Sequence, residues 1–175
     1  MRITLYGFMG AGKSTLGKAL AQLLGYSFLD LDAEIQYITG KSISDIFAQE
    51  GEIAFRKIEH KVLKEFIKRN EDNVVLALGG GAILQPNNRK LLELRNFLKV
   101  YLDVSVPELI SRLKNDKQRR PLLKNIPNVD FDGFITALHN SRKDVYEQHT
   151  DLKLTVTDEN FETVLNKLYM HLNLN

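Results

Sequence analysis

Residues Gly7 to Thr15 read Gly-Phe-Met-Gly-Ala-Gly-Lys-Ser-Thr and satisfy G-x-x-x-x-G-K-[ST]. Gly7, Gly10 and Gly12 let the backbone fold back so that successive N–H groups converge on phosphate oxygens. The N-terminus of the helix that follows adds about half a positive charge. Lys13 then reaches the β- and γ-phosphates, and Ser14 offers its hydroxyl to the Mg²⁺ that accompanies them. The run Gly10, Ala11, Gly12, Lys13, Ser14, Thr15 is therefore expected to hold a nucleoside triphosphate.

Three other groups carry candidate chemistry. Asp30 and Asp32 stand one residue apart, so on an extended strand end their carboxylates share a face. Beside a phosphate loop, one of them can hold the metal through water while the other accepts a hydrogen bond from a substrate hydroxyl. The plainer alternative is a pair of solvated carboxylates, one of them capping the next helix. Gly79-Gly80-Gly81 is either a turn after a strand or a stretch of bare backbone that a ligand approaches closely. Finally, Arg112, Lys114, Lys117, Arg119, Arg120 and Lys124 gather positive charge around a single carboxylate, Asp116. Such a run often forms only a solvated face, but Arg120-Pro121-Leu122-Leu123 joins a guanidinium to a stiff apolar unit, as suits a lid. A unit charge pair about 4 Å apart is worth about 1 kcal/mol in water and about 4 at an effective dielectric near 20, so lid closure would make that arginine catalytic.

The elements that must position these groups alternate between strand and helix. Ile3 to Tyr6 reads as a buried strand, and Leu16, Leu20, Leu23 and Leu24 recur at helical spacing up to Gly25. Phe28-Leu29 with Asp30 forms a second strand, and a helix from Ala33 to Thr39 stops at Gly40. Two more helices follow, Ser44 to Gln49 and Glu52 to Lys68. Val74 to Leu78 is a continuous apolar run, as expected of a central parallel strand buried on both faces. Phe97 to Leu102 is another strand, and Asn87 or Asn88 caps the helix between them. Pro107 opens a helix, Lys114 to Asp130 reads as a long loop of the kind usually kept for function, and a helix spans about Phe131 to Gln148. A strand from Leu152 to Val156 and a helix from Phe161 to Leu172 complete the pattern. Five strands alternating with helices imply a mainly parallel sheet, helix-covered on both faces, with ligands beyond the carboxyl ends of its strands.

Composition limits the rest. A chain of 175 residues, 43% hydrophobic and 26% charged, suits one domain that buries roughly 70% of its unfolded surface. A net charge of +2 is too mild to argue for nucleic acid or membrane surface as partner, and neither is expected; a local basic cluster matters more. Without cysteine there are no disulfides, thiolate metal sites or cysteine nucleophiles. The start carries no signal, and no apolar run approaches the roughly 20 residues of a membrane span, so the expected location is cytoplasmic. His60, His139, His149 and His171 show no metal-ligand spacing. With no sustained apolar heptad, a monomer is expected.

In order and spacing, Gly-x-x-Gly-x-Gly-Lys-Ser-Thr, Asp30-x-Asp32, Gly51-Glu52 with Phe55-Arg56 and Glu59, Gly79-Gly80-Gly81, and Arg120-Pro121-Leu122-Leu123 together resemble the shikimate kinase family over nearly the whole chain. The resemblance implies an ATP-dependent phosphotransferase that moves the γ-phosphoryl of ATP to the 3-hydroxyl of shikimate, giving shikimate 3-phosphate and ADP in aromatic amino-acid biosynthesis. It also implies a three-layer α/β fold of the nucleoside-monophosphate-kinase P-loop type, with a five-stranded parallel sheet. Residues 1–175 then form a single kinase domain with a substrate-binding helical region at about 32–60 and a lid at about 112–126. By the same resemblance, Asp32, Arg56, Gly79, Gly80, Gly81 and Arg142 bind shikimate, and Ser14 and Asp30 hold Mg²⁺. Lys13, Asp32 and Arg120 serve catalysis, Arg112 and Arg120 add to the ATP site, and Phe47 and Phe55 wall the pocket. Family members commonly carry proline and leucine before the late-helix tyrosine, whereas here Asp144-Val145 precede Tyr146. The rival readings are another small-metabolite kinase on the same fold, of gluconate or nucleoside-monophosphate type, and a nucleotide-binding protein without chemistry.

Overall fold

The computed structural model describes residues 1–117, 120–157 and 159–173. Arg119 of the basic stretch and Asp158 fall outside them. The order of elements is β1 (Arg2–Tyr6), α1 (Lys13–Leu24), β2 (Ser27–Asp30), α2 (Leu31–Thr39), α3 (Ile43–Lys68), β3 (Val74–Ala77), α4 (Pro86–Leu94), β4 (Leu98–Val104), α5 (Val106–Asp116), α6 (Phe131–Gln148), β5 (Leu152–Val156) and α7 (Phe161–Asn173). The strands lie in the order β2-β3-β1-β4-β5 and every pairing is parallel. Chain order reverses at β1, which places the loop after β1 at the switch point where such sheets bind ligands.

Burial explains which run became which strand. All four residues of β3 are buried, as a strand covered on both faces requires. β5, at the sheet edge, alternates instead, with Leu154 and Val156 inward and Lys153 and Thr155 outward. Gly25 and Gly40, both left-handed, end α1 and α2. The two helices expected at 44–49 and 52–68 run on as α3, but the backbone breaks between them at Gly51, where φ is 81° and ψ 173°.

Two local expectations are corrected. Neither Asn87 nor Asn88 caps α4, because Gln85 precedes a helix that opens on Pro86, whose fixed φ already suits the first helical position. Asn88 is instead buried, its amide donating to the Ala82 carbonyl at 3.0 Å and its oxygen 2.8 Å from His60 Nδ1. The loop expected from Lys114 is also shorter, since α5 carries Lys114, Asn115 and Asp116 and a 3-10 turn occupies Asn128–Asp130.

Candidate active site

The P-loop leaves β1 and enters α1 with Gly7, Gly10 and Gly12 all at positive φ. At Gly7 the requirement is double: φ is 143°, and a Cβ would stand 2.6 Å from the Leu102 carbonyl oxygen. Lys13 is folded back into this loop, its ammonium donating to the carbonyls of Phe8 at 2.9 Å and Gly7 at 3.2 Å. Burial lowers its pKa to about 8, against the pull of Asp32 and Asp30. Arg112 closes the other side, donating to the Gly10 carbonyl at 3.3 Å while Glu108 holds its Nε at 2.7 Å. Lys13, Ser14, Thr15, Asp30 and Arg112 border a cavity of about 580 Å³.

Asp30 and Asp32 do converge on this space, but not along an extended strand. Asp30 ends β2 and is the N-cap of α2, accepting from the Ala33 N–H at 3.1 Å, so the helix begins before Asp32. Asp30 therefore caps a helix and also faces the site, its second oxygen accepting a hydrogen bond from the Ser14 hydroxyl. Asp32 lies in the first turn of α2 and packs over Gly79, where a Cβ would stand 2.6 Å from its Oδ1. Burial, together with the charge of Asp30, raises the Asp32 pKa above the ordinary carboxylate range, while Lys13, Arg56 and Arg120 pull it down.

A second cavity, about 590 Å³, opens on the far side of Asp32. Phe47 and Phe55 form its apolar wall with ring centroids 4.7 Å apart. Arg56 is held by two carboxylates of its own helix. Its Nη1 donates to both oxygens of Glu59 at 2.9 and 3.1 Å, and its Nη2 to Glu52 at 3.0 Å. Arg142 reaches the cavity from α6, its guanidinium 5.7 Å from the Phe8 ring. The backbone from Gly79 to Gly81 forms one border, and at Gly81 a Cβ would stand 2.7 Å from Arg56 Cζ.

The two cavities share a wall. Asp32, Gly80 and Arg120 border both, as do Met9, Gln36 and Asp116. Arg120 is paired with Asp116, four residues earlier in the chain, at 2.8 Å. Anions placed in either cavity therefore meet the same arginine.

All the expected site residues fall on one of these cavities except Ala11, which is buried behind the loop with its N–H turned to the Phe8 carbonyl at 3.2 Å. Glu59 was legible in the sequence only as part of a motif, yet it is fully buried and burial pushes its pKa up to about 7. A carboxylate on the apolar stripe of Phe55, Val62 and Phe66, one turn from an arginine, was the available signal. Asp116 and Gln36 were not singled out for the site at all.

A family model described as "Shikimate kinase" matches residues 9–173. The chain belongs to the shikimate kinase family. Among curated relatives, the shikimate kinase of Synechococcus elongatus is 42% identical over 87% of this chain and 75% of its own length. That of Flavobacterium johnsoniae is 37% identical over 95% of this chain and 98% of its own. Among solved structures, the shikimate kinase from Acinetobacter baumannii in complex with shikimate superposes with a TM-score of 0.90 at 36% identity, covering 99% of this chain and 93% of that one. A deoxyadenosine kinase from M. mycoides with bound dCTP, at 17% identity and a TM-score of 0.58, shares the fold with this member of the shikimate kinase family.

Proposed function

We propose that the chain transfers the γ-phosphoryl group of ATP to the 3-hydroxyl of shikimate. The observation that carries this reading is the wall common to both cavities, because a phosphate seated on the P-loop and a hydroxyl seated over Asp32 face each other across it. Phosphoryl transfer of this kind has a loose transition state, so the protein contributes mainly position and charge neutralisation. The amides of Gly10 and of Gly12 to Thr15 and the Lys13 ammonium hold the β- and γ-phosphates, with Arg112 on the same side. The forks of Arg56 and Arg142 take the carboxylate of shikimate, a planar anion that suits bidentate donors. Asp32 accepts the hydrogen bond of the reacting hydroxyl, orients it and receives its proton as the new P–O bond forms. Arg120 exchanges Asp116 for the transferring group and neutralises it.

Ser14 and Asp30 place one hydroxyl beside one carboxylate, hard oxygen donors of the kind Mg²⁺ takes, so they would hold that ion. An ion held there would offset the negative charge that develops on the phosphate oxygens. In this reading 1–175 is one kinase domain, with a substrate-binding region at about 32–60 and a lid at about 112–126, acting as a cytoplasmic monomer. Among the described residues no helix is long and apolar enough to cross a membrane.

The test is ADP release with Mg-ATP, comparing shikimate with gluconate, quinate and a nucleoside monophosphate, with Lys13→Ala as the blank. Turnover with shikimate alone is expected. Turnover only with another acceptor would keep the kinase and overturn the substrate, and none at all would leave a nucleotide-binding protein.

A further inference from the structure

Tyr146 lies on α6 one turn after Arg142 and is 0% exposed, yet it borders neither cavity. Its hydroxyl donates to the Gly80 carbonyl oxygen at 2.6 Å. Its own carbonyl accepts the Tyr6 hydroxyl at 2.9 Å, and its ring packs against Tyr101 and Tyr6 with centroids 5.3 and 6.1 Å away. The residue is thus fastened at its backbone, its ring and its tip. A phenylalanine would fill the same volume, so packing alone does not account for the hydroxyl. A buried hydroxyl is costly unless bonded; here its proton goes to one peptide of the substrate-facing turn, and the Arg142 side chain lies against the same oxygen.

Peptide geometry says what that bond does. The Gly80–Gly81 peptide is trans, like every peptide described, so its C=O and N–H point in opposite directions. Fixing the carbonyl toward α6 fixes the Gly81 N–H toward the other side. Within the turn, the Ala82 N–H is taken by the Gly79 carbonyl and the Leu84 N–H by the Gly81 carbonyl. The Gly81 N–H has no protein acceptor among the described residues, and Gly81 borders the acceptor cavity directly beneath the Arg56 guanidinium.

We propose that Tyr146 is a positioning residue for the acceptor, its hydroxyl holding the Gly80–Gly81 peptide so that the Gly81 N–H donates to the substrate anion beside Arg56. The role rests on the proposed reaction. It also ties two parts of one subsite together, because the helix that delivers Arg142 is the helix that orients this amide. Donation to the carbonyl polarises the peptide and strengthens its N–H as a donor.

Tyr146→Phe tests it, with Tyr6→Phe as the comparison, since the latter removes a hydrogen bond to the same stretch of α6 and leaves the Gly80 bond intact. The readouts are KM for each substrate, kcat, ATP affinity and the thermal midpoint. For Tyr146→Phe, kcat/KM for shikimate is expected to fall about tenfold, chiefly through KM, with KM and affinity for ATP retained. Tyr6→Phe is expected to lower the midpoint while sparing KM for shikimate. An unchanged kcat/KM for shikimate in Tyr146→Phe overturns the proposal, and so does a loss shared equally by both substrates and both variants, which assigns Tyr146 to packing. A wild-type enzyme that does not turn over shikimate overturns the reaction itself.

Discussion

In the proposed reading, one unbroken run, Gly7–Thr15, builds most of the phosphate side from backbone amides and a single ammonium, whereas the acceptor side gathers Asp32 from α2, Arg56 and Glu59 from α3, Gly79–Gly81 from the end of β3 and Arg142 from α6. The ligands explain the contrast. Phosphate offers the same oxygens in every nucleotide, so a loop of small residues in a set conformation suffices to cradle it. A particular acceptor must be picked out by forks at set distances, and those forks need partners of their own, as Arg56 has in Glu59 and Glu52. The phosphate side is thus a conformation, and the acceptor side is a set of mutually braced charges.

The sharpest way to break that division is at the wall both sides use. Asp32→Asn is expected to lose most activity by misplacing the acceptor, and near-normal turnover at saturating shikimate would remove Asp32 from the mechanism. Arg120→Ala should cut turnover by about 10³-fold or more while ATP binding, measured by calorimetry, stays largely intact. An unchanged rate would reduce the lid to a cover.

A change confined to the acceptor side should be smaller and one-sided. Arg56→Lys keeps the charge and loses the fork, so kcat/KM for shikimate should drop about a hundredfold with KM for ATP unchanged. Equal effects on both substrates would mean that the cavities are not independent.

The smallest effects are those of pH, and they should differ between the sides. Lys13, lowered to about 8, must be charged to attract phosphate, so kcat/KM for ATP should fall above that pH in the free enzyme. Glu59 acts through stability: a carboxyl raised from 4.5 to about 7 stabilises the fold fully below pH 4.5 and loses that contribution as pH rises through about 7. Melting temperatures across that window should therefore decline in the parent enzyme more steeply than in Glu59→Gln. Parallel slopes would show that burial does not set the titration of Glu59.

The same contrast governs what could be read from the chain. The P-loop is legible because its chemistry is contiguous, and Val74–Ala77 because full burial writes a continuous apolar run. Asp30 and Asp32 were legible as a pair, but the sequence left two geometries open, a shared face on an extended strand or a cap on the next helix; Asp30 takes the cap, which starts α2 at Leu31, and faces the site as well. Asn88 misled in the opposite sense, as a residue typical of caps that satisfies buried groups instead. Arg56 and Arg142 were placed through family likeness, since they stand far apart in sequence and only the fold joins them. Glu59 and Tyr146 act on other residues rather than on ligands, a role that leaves little trace in a pattern of types and spacings.

The break at Gly51 bears on how such a protein can change over evolutionary time. In an unbroken helix one inserted residue turns everything on one side of it by about 100° relative to the other, which would swing Phe47 away from Phe55. Gly51 interrupts that transmission, and a Cβ there would meet nothing within 4 Å, so its backbone conformation is the whole reason for the residue. The segment from Ile43 to Glu50 can lengthen, shorten or be exchanged while Arg56 and Glu59 keep their register on the core. New acceptors can in this way be sampled by editing one short cassette, with the phosphate machinery left as inherited.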